Sequence, residues 1–350
     1  MLEDKNPNPV NDISTLGEFG LINHLTENIK LQNKSSKLGV GDDAAVLEFK
    51  SKQTLVTTDM LVEGVHFDLL YTPFKHLGYK AVVVNLSDIY AMNGTPTQIT
   101  VSLAVSNRIS VEALEELYEG MLLACEIYGV DLIGGDTTSS LSGLIISITA
   151  IGEADKKEVV TRKGAKENDL ICVSGDLGGA FMGLQLLERE KKVYNEAPTV
   201  QPDFDGHDYV LERQLKPEPR KDVIDMFKEL GIQPTAMIDV SDGLSSDLTH
   251  ICKQSKVGCT IYENKIPIDF TVVNLAAEMN LDPTVCALNG GEDYELLFTI
   301  ALDDYNKIKD SKRVAVIGHI TGVEGAYQIV DKAEVVHKLV AQGWDAISKQ

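Results

Sequence analysis

Six short segments of this 350-residue chain set carboxylates next to glycine or a small hydroxyl residue, each against an apolar run. They are Gly41-Asp42-Asp43, Thr57-Thr58-Asp59, Asn85-Leu86-Ser87-Asp88, Gly134-Gly135-Asp136, Asp239-Val240-Ser241-Asp242-Gly243 and Gly290-Gly291-Glu292-Asp293. Read as strand ends, they converge on the rim of a sheet, where glycine lets backbone amides approach an anion. Clustered carboxylates repel one another. Magnesium relieves that repulsion, because it takes oxygen ligands and shares its shell with substrate phosphates. Any one of these acids alone reads as an N-cap or turn residue. The repetition of one pattern points instead to a metal–nucleotide site.

The length is too great for one ordinary core and suits two domains of roughly 150 to 200 residues. Hydrophobic residues at 43% and charged residues at 24% give the balance of a globular chain. Apolar runs such as Ala81–Val84 and Leu144–Ile148 fall far short of the ~20 residues that cross a bilayer, so no membrane partner is expected. The stretch Met1–Asn11 is polar, and we expect a cytoplasmic protein. The net charge of −21 opposes binding to nucleic acid. Cys125, Cys172, Cys252, Cys259 and Cys286 are scattered without a C-x-x-C pair, which argues for reduced core residues rather than a disulfide frame or zinc site.

Thr15 and Glu18 form a capping-box pattern before Phe19, Ile22, Leu25 and Ile29, which predicts a helix over roughly 15–30. Strands are expected at Leu55–Thr58, Ala81–Leu86, Ile99–Val105, Leu132–Ile133 and Leu144–Ile151, with an amphipathic helix over Val111–Tyr128 stopped by Gly129. The charged stretch Gly152–Asp169 places a domain boundary near 155–165, giving domains 1–155 and 156–350. The second half opens on a strand at Leu170–Ser174. A glycine-rich helix near 179–191, a polar loop Tyr194–His207, helices near 208–215 and 219–230 and a strand Met237–Val240 follow. Mixed strands and helices in both halves give an α/β or α+β class.

Rival nucleotide and hydrolase motifs are missing: the sequence has no G-x-x-x-x-G-K-[ST] loop, G-x-G-x-x-G, G-x-S-x-G elbow or H-E-x-x-H. Gly175-Asp176-Leu177-Gly178-Gly179 fits close helix–sheet packing better than a phosphate cradle. His66 follows the second acidic segment, where a structural histidine and a rim residue are both open readings. Arg162 reads equally as a phosphate fork and as a solvated charge. Tyr118 falls on the apolar face of its helix and defaults to core packing. Trp344 is open between a late core residue and a platform for a flat ring.

The ordered series G-D-D-A-A, T-T-D-x-L-V-E-G-V-H-F, V-N-L-S-D, G-G-D-T-T, T-R-x-G-A, D-V-S-D-G-L and G-G-E-D-Y-E-L resembles the thiamine-monophosphate kinase family along the whole chain. That family belongs with aminoimidazole ribonucleotide synthetase, selenophosphate synthetase and a hydrogenase-maturation ATPase. The resemblance implies a two-domain α+β fold of the aminoimidazole ribonucleotide synthetase type. In it the N-terminal ATP- and magnesium-binding domains pair into a β-barrel across a homodimer, and a C-terminal α/β domain completes the active site.

Residue by residue, the resemblance implies magnesium ligands at Asp43, Thr57, Thr58, Asp59, Asp88, Asp136, Asp239 and Asp242. It implies ATP contacts at Tyr118, Gly135, Arg162 and Ser241, and thiamine monophosphate contacts at His66, Glu292 and Trp344. The implied reaction moves a phosphoryl group from ATP to thiamine monophosphate with several Mg2+ ions. The acceptor oxygen is already anionic, so no general base is needed. The alternatives are another ATP-dependent reaction of the same superfamily and a non-catalytic metal-binding module. Selenophosphate synthesis is disfavoured because the first cysteine is Cys125. The stretch Tyr194–His207 matches no motif of the family.

Overall fold

The computed structural model describes residues 24–38, 46–49 and 52–341. Gly41-Asp42-Asp43, Trp344 and all but the end of the helix expected over 15–30 lie outside them. Residues 24–26 are helical, so that helix ends short of residue 30. The chain divides into two compact units. The first comprises Met1–Asn85 and Pro96–Glu153, the second Leu86–Thr95 and Ala154–Gln350.

In the first unit, β1 (Ser36–Leu38) pairs with β2 (Val46–Leu47). A four-stranded sheet has the order β3-β6-β4-β5, with β3 Gln53–Val62, β4 Thr95–Ser106, β5 Asp131–Ser140 and β6 Ile145–Ala154. β4 and β5 are parallel. One face of the sheet is buried through Val101, Leu103 and Val105 of β4 and Ile146, Ile148 and Ala150 of β6. Side chains alternate across a strand, and the other face of β3 carries the exposed residues Val56, Thr58 and Met60.

Helices α1 (Phe74–Ala91) and α2 (Val111–Tyr128) complete this unit, with the last residues of α1, from Leu86, counted in the second. The expected amphipathic helix is realised in α2. Ser110 accepts a hydrogen bond from the Ala113 amide at its start, and Gly129, at φ +67, closes its end. The two helices touch backbone to backbone. A Cβ at Gly78 would overlap the Leu117 carbonyl, and one at Gly120 would overlap the Lys75 carbonyl.

Ala81–Leu86 is not a strand: it lies inside α1. Every residue from Leu77 to Ser87 is buried, so the run is apolar because the helix is enclosed all round. A helical period cannot be read where no polar face interrupts it, and the β-branched Val82-Val83-Val84 imitates a strand. Other apolar runs fall inside longer strands. Leu55–Thr58 extends to Gln53–Val62, and Leu132–Ile133 to Asp131–Ser140.

In the second unit a seven-stranded sheet has the order β13-β12-β9-β11-β7-β10-β8. Its strands are β7 Leu170–Ser174, β8 Ala236–Asp239, β9 Gly258–Tyr262, β10 Leu296–Ile300, β11 Val314–Thr321, β12 Tyr327–Val330 and β13 Val336–Lys338. The pairings are antiparallel except that of β12 with β9. Two helices run Gly179–Glu196 (α3) and Asp208–Leu215 (α4), followed by Lys221–Leu230 (α5) and Leu244–Ser255 (α6). Helices Phe270–Glu278 (α7) and Pro283–Asn289 (α8) precede β10.

One core joins Ile171, Val173, Ile238 and Leu297 of the sheet to Leu248 and Ile251 of α6. A second joins Met182, Leu186, Val210, Val272, Leu275 and Cys286 from α3, α4, α7 and α8. All five cysteines are free thiols and buried, as expected. No helix among the described residues is long and apolar enough to cross a membrane.

Gly120→Ala puts a methyl group against a carbonyl that no side-chain movement can clear. We expect it to destabilise the protein by about 3 kcal/mol, read as a lower midpoint in urea unfolding, whereas Gly129→Asn at the helix end should cost much less.

Candidate active site

In the first unit, Thr57, Thr58 and Asp59 lie within β3 rather than at its end. Thr57 and Asp59 point to one face and Thr58 to the other. The Thr58 hydroxyl donates to the Ile148 carbonyl at 3.0 Å, and the Asp59 amide donates to Asn85 Oδ1 at 3.0 Å. Asp136 is likewise inside its strand. Ile99 and Thr100 of β4 pair with Leu132 and Gly134, so Ile133 is an extra residue, and the chain beyond it turns exposed at Gly135 and Asp136. Gly135 lies so close to Val101 that a side chain would strike its carbonyl.

The loop after β3 separates two roles in the E-G-V-H-F segment. Glu63 is tied into the fold, its Oε2 accepting from the Leu144 amide at 2.8 Å while Oε1 meets Arg108 Nη2 at 3.4 Å. Gly64 at φ +80 turns the chain. The half-buried His66 accepts the Val62 amide on Nδ1 at 3.1 Å. That bond assigns the ring proton of the neutral imidazole to Nε2, leaving an N–H donor there. Tyr118 is on the buried face of α2 as its spacing predicts. Burial pushes its phenol up to about 12, so it stays protonated at neutral pH.

In the second unit, Asp88 sits in the last turns of α1, not at a strand end. One residue before it, the wholly buried Ser87 donates to Asp239 Oδ2 at 2.7 Å. Asp239 closes β8, and Ser241 and Asp242 follow it into α6. Asp247 in the first turn of α6 accepts the Asp242 and Gly243 amides, each at 3.2 Å. Burial, then the nearby charges of Asp239 and Asp242, push the Asp247 carboxyl up to about 8. Arg162 is exposed, on a segment whose Thr161 carbonyl accepts the Met237 amide beside β8. Burial lowers the pKa of His250, and the charges of Arg162 and Lys253 add to that, opposed by Asp242.

Glu292 starts the turn into β10 with φ +57, next to Gly291 at φ +69 and before Tyr294 at φ +52. The Glu292 and Tyr294 amides donate to the Ser241 and Val240 carbonyls at 2.8 and 2.9 Å, which brackets the Asp239–Asp242 loop against this turn. Asp293 accepts the Gly178 and Ala180 amides at 2.8 and 3.3 Å, so Gly175–Gly179 serves packing and helix capping as its glycines suggest. Arg213 of α4 donates to Glu295 Oε1 at 2.9 Å and to the Asp293 carbonyl at 3.3 Å. Arg220 and Ser174 also donate to Glu295. Burial alone would draw the Arg213 guanidinium down, but the charges of Glu295 and Asp293 outweigh it and raise it. Burial pushes Asp293 up to about 6 against the pull of Arg213 and the two amides.

Among the described residues no three His, Cys, Asp or Glu side chains stand close enough to cage a metal ion. The donors are hard oxygens presented singly or beside one neighbour. That set fits Mg2+, which is commonly held by one or two carboxylates together with substrate phosphates.

Residues 41–154 match the family model described as AIR synthase related protein, N-terminal domain. A thiamine-monophosphate kinase of Bacillus subtilis (strain 168) is 37% identical over 84% of this chain and 86% of its own. This chain belongs to the thiamine-monophosphate kinase family. A thiamine-monophosphate kinase of Aquifex aeolicus (strain VF5) is 35% identical over 95% of this chain and 98% of its own. The solved structure of AaThiL complexed with AMPPCP and TMP superposes with a TM-score of 0.74 at 32% identity, over 96% of this chain and 98% of that one. The α+β fold of the aminoimidazole ribonucleotide synthetase type is the fold of this kinase family.

Among the residues that sequence reading of the kinase motifs passed over, Arg213, Gln214 and Arg220 matter most. They are separated from Glu292 and Glu295 by 75 to 82 positions. Their only sequence signal was a basic or amide residue on an otherwise ordinary helix. Ser87 left a better trace, standing in the V-N-L-S-D motif directly before the candidate ligand Asp88.

Arg213→Met would leave Asp293 and Glu295, 0% and 2% exposed at their side chains, without one of their cations. We expect a loss of about 3–5 kcal/mol in urea-monitored stability. Arg213→Lys should recover only part of it, because one ammonium cannot fork across both partners.

Proposed function

We infer that this protein transfers the γ-phosphate of ATP to the phosphate of thiamine monophosphate, yielding ADP and thiamine diphosphate. The observation that carries this is the near full-length match to relatives of that name, over 95% of the chain in one case. The AMPPCP and TMP bound to AaThiL supply the two substrate chemistries, AMPPCP being an ATP analogue with an uncleavable terminal link. In the reaction an oxygen of the acceptor phosphate forms a bond to the γ-phosphorus as the bond to the β-bridging oxygen breaks. The nucleophile carries no proton to remove, so catalysis reduces to positioning and charge stabilisation.

Magnesium belongs to the proposal: when bound it would neutralise the phosphate oxygens of the two polyanions. Asp43, Thr57, Asp59, Asp88, Asp136, Asp239 and Asp242 are assigned to hold it through side-chain oxygens. The Thr58 hydroxyl, assigned with them, donates its proton to the Ile148 carbonyl, and a hydroxyl that donates keeps lone-pair capacity on its oxygen. Tyr118, Gly135, Arg162 and Ser241 are assigned to ATP. Tyr118 is fit to donate because its phenol keeps its proton, and Arg162 because its exposed guanidinium forks onto phosphate. His66, Glu292 and Trp344 are assigned to thiamine monophosphate, His66 through the Nε2 donor that its bond to Val62 defines.

We further propose a cytoplasmic homodimer in which residues 1–155 bind ATP and magnesium and pair across the dimer, while 156–350 supply the remaining site residues. The exposed apolar side chains Val56 and Met60 on edge strand β3 support a partner on that face.

The deciding assay incubates the protein with Mg2+, ATP and thiamine monophosphate and resolves the products by chromatography. Equal amounts of ADP and thiamine diphosphate are expected. ATP left intact, or consumed without the diphosphate, would redirect the assignment to another acceptor of the superfamily. Asp59→Asn and Asp88→Asn should each lower kcat on the order of 100-fold or more with melting temperatures near wild type. Full activity in either folded variant would remove that residue from the metal set. His66→Ala and Glu292→Ala should raise KM for thiamine monophosphate more than KM for ATP.

A further inference from the structure

We infer that Gln214 is a positioning residue for acceptor recognition, holding the Glu292 carboxylate from helix α4; this rests on the assignment of Glu292 to thiamine monophosphate made above. Gln214 Nε2 donates to Glu292 Oε2 at 2.9 Å. Gln214 is 5% exposed, and an N–H taken out of water at that depth is costly unless an acceptor such as Glu292 replaces the lost hydration. A leucine or methionine at this place would join the apolar core beside it at no such cost.

Both ends of the bond are fixed. On the α4 side, Val210 is enclosed among Met182, Leu186 and Val272. At Gly183 any side chain would strike the Val210 carbonyl and Gln214 Cβ, so α3 is pressed directly against the turn of α4 that carries Gln214. Tyr209 donates to Asp176, and Arg213 donates to the Asp176 and Asp293 carbonyls and to Glu295. On the other side, Glu292 takes the left-handed conformation that a non-glycine residue adopts only when its surroundings hold it there, and the Ser241 carbonyl does so by accepting its amide.

The backbone of Glu292 is therefore set, but its side chain keeps three rotatable bonds. The Gln214 amide narrows that freedom by holding Oε2 at 2.9 Å. A glutamate pre-set in one rotamer binds a donor on the ligand more tightly than one that must be ordered at the moment of binding. Arg213 and Gln214 thus divide the work of α4. Arg213 neutralises the buried acids of the Glu292–Glu295 turn, and Gln214 aims its one half-buried acid.

The test is steady-state kinetics on Gln214→Met, which keeps the volume and removes the donor. KM for thiamine monophosphate should rise about 10-fold, with a smaller change in kcat and no comparable change in KM for ATP. Gln214→Glu, which keeps the shape and opposes one carboxylate with another, serves as the second variant should methionine disturb folding, and should raise the same KM at least as much. Glu292→Ala and the double variant Glu292→Ala/Gln214→Met should share one KM for thiamine monophosphate, because Gln214 has nothing left to aim. If Glu292→Ala raises that KM and folded Gln214 variants do not, or if the two effects multiply in the double variant, the role of Gln214 is overturned and that of Glu292 stands. If Glu292→Ala itself leaves the KM unchanged, the assignment of Glu292 fails first, and with it the role given to Gln214.

Discussion

Much of the second unit depends on the enclosure of Glu295 between two arginines. Its carboxylate is 2% exposed and meets both Arg213 and Arg220, whose side chains are 14% and 15% exposed. Taking such charges out of water is costly, and their mutual attraction offsets the cost only when further hydrogen bonds add to it. Here Glu295 draws partners from several elements at once, Ser174 at the end of β7, Arg213 on α4 and Arg220 at the start of α5, although the buried Nε of Arg213 has no hydrogen-bond partner among the described residues. Asp293, two residues earlier, adds the start of α3 through the Gly178 and Ala180 amides. The network defines one arrangement of these elements, and the turn it encloses is the one that carries Glu292. Acidic residues that look interchangeable in G-G-E-D-Y-E-L therefore do different things: Asp293 and Glu295 hold the turn, and Glu292 is what the turn presents.

The same division holds on α1. Within the first unit Asn85 accepts the Asp59 amide, and within the second Ser87 donates to Asp239, so each touches a strand residue proposed to hold magnesium. A serine inside a helix ordinarily bonds back to its own preceding turn. Ser87 spends its hydroxyl on Asp239 instead, and this fixes Oδ2 of that carboxylate while Asp88 follows on the next position. Asn85 and Ser87 of the V-N-L-S-D segment thus serve other candidate acids as supports, leaving Asp88 as its one proposed ligand.

The α+β class, the amphipathic α2 with its Gly129 stop, β7 and the α4 helix were legible because each carries its own local signature of period, cap or length. Ala81–Leu86 was not, because a helix buried on every side loses the polar face that reveals its period. That misreading reaches the site only at Asp88, which lies in a helix. Of the other acids expected at strand ends, Asp59 and Asp136 lie inside strands, while Asp239 does close its strand. The choice of candidate acids does not depend on this, because their glycine and hydroxyl neighbours mark them independently of the element they occupy. What no local pattern can carry is pairing across 75 to 152 positions, and it is this pairing that separates the supports Ser87, Arg213, Gln214 and Arg220 from the residues they support.

The proposed chemistry brings two phosphorylated anions to a chain of net charge −21, and the local electrostatics explain how that combination is workable. Asp247 shows how much negative charge the β8–α6 turn already holds. Burial comes first, and the charges of Asp239 and Asp242 then drive its carboxyl up to about 8, even though two backbone amides pull the other way. A phosphate brought near such a turn meets repulsion that Arg162 alone cannot offset, since a single exposed guanidinium is screened by solvent and salt. Divalent cations remove the conflict by attracting both the carboxylates and the phosphates, so the acidity that excludes a free polyanion becomes the means of selecting a metal-complexed one. On this reasoning the acids are not a surface of general negative charge. They are what the proposed reaction needs to draw in a metal-complexed phosphate, and on the same proposal His66 and Glu292 answer for the organic part of the acceptor.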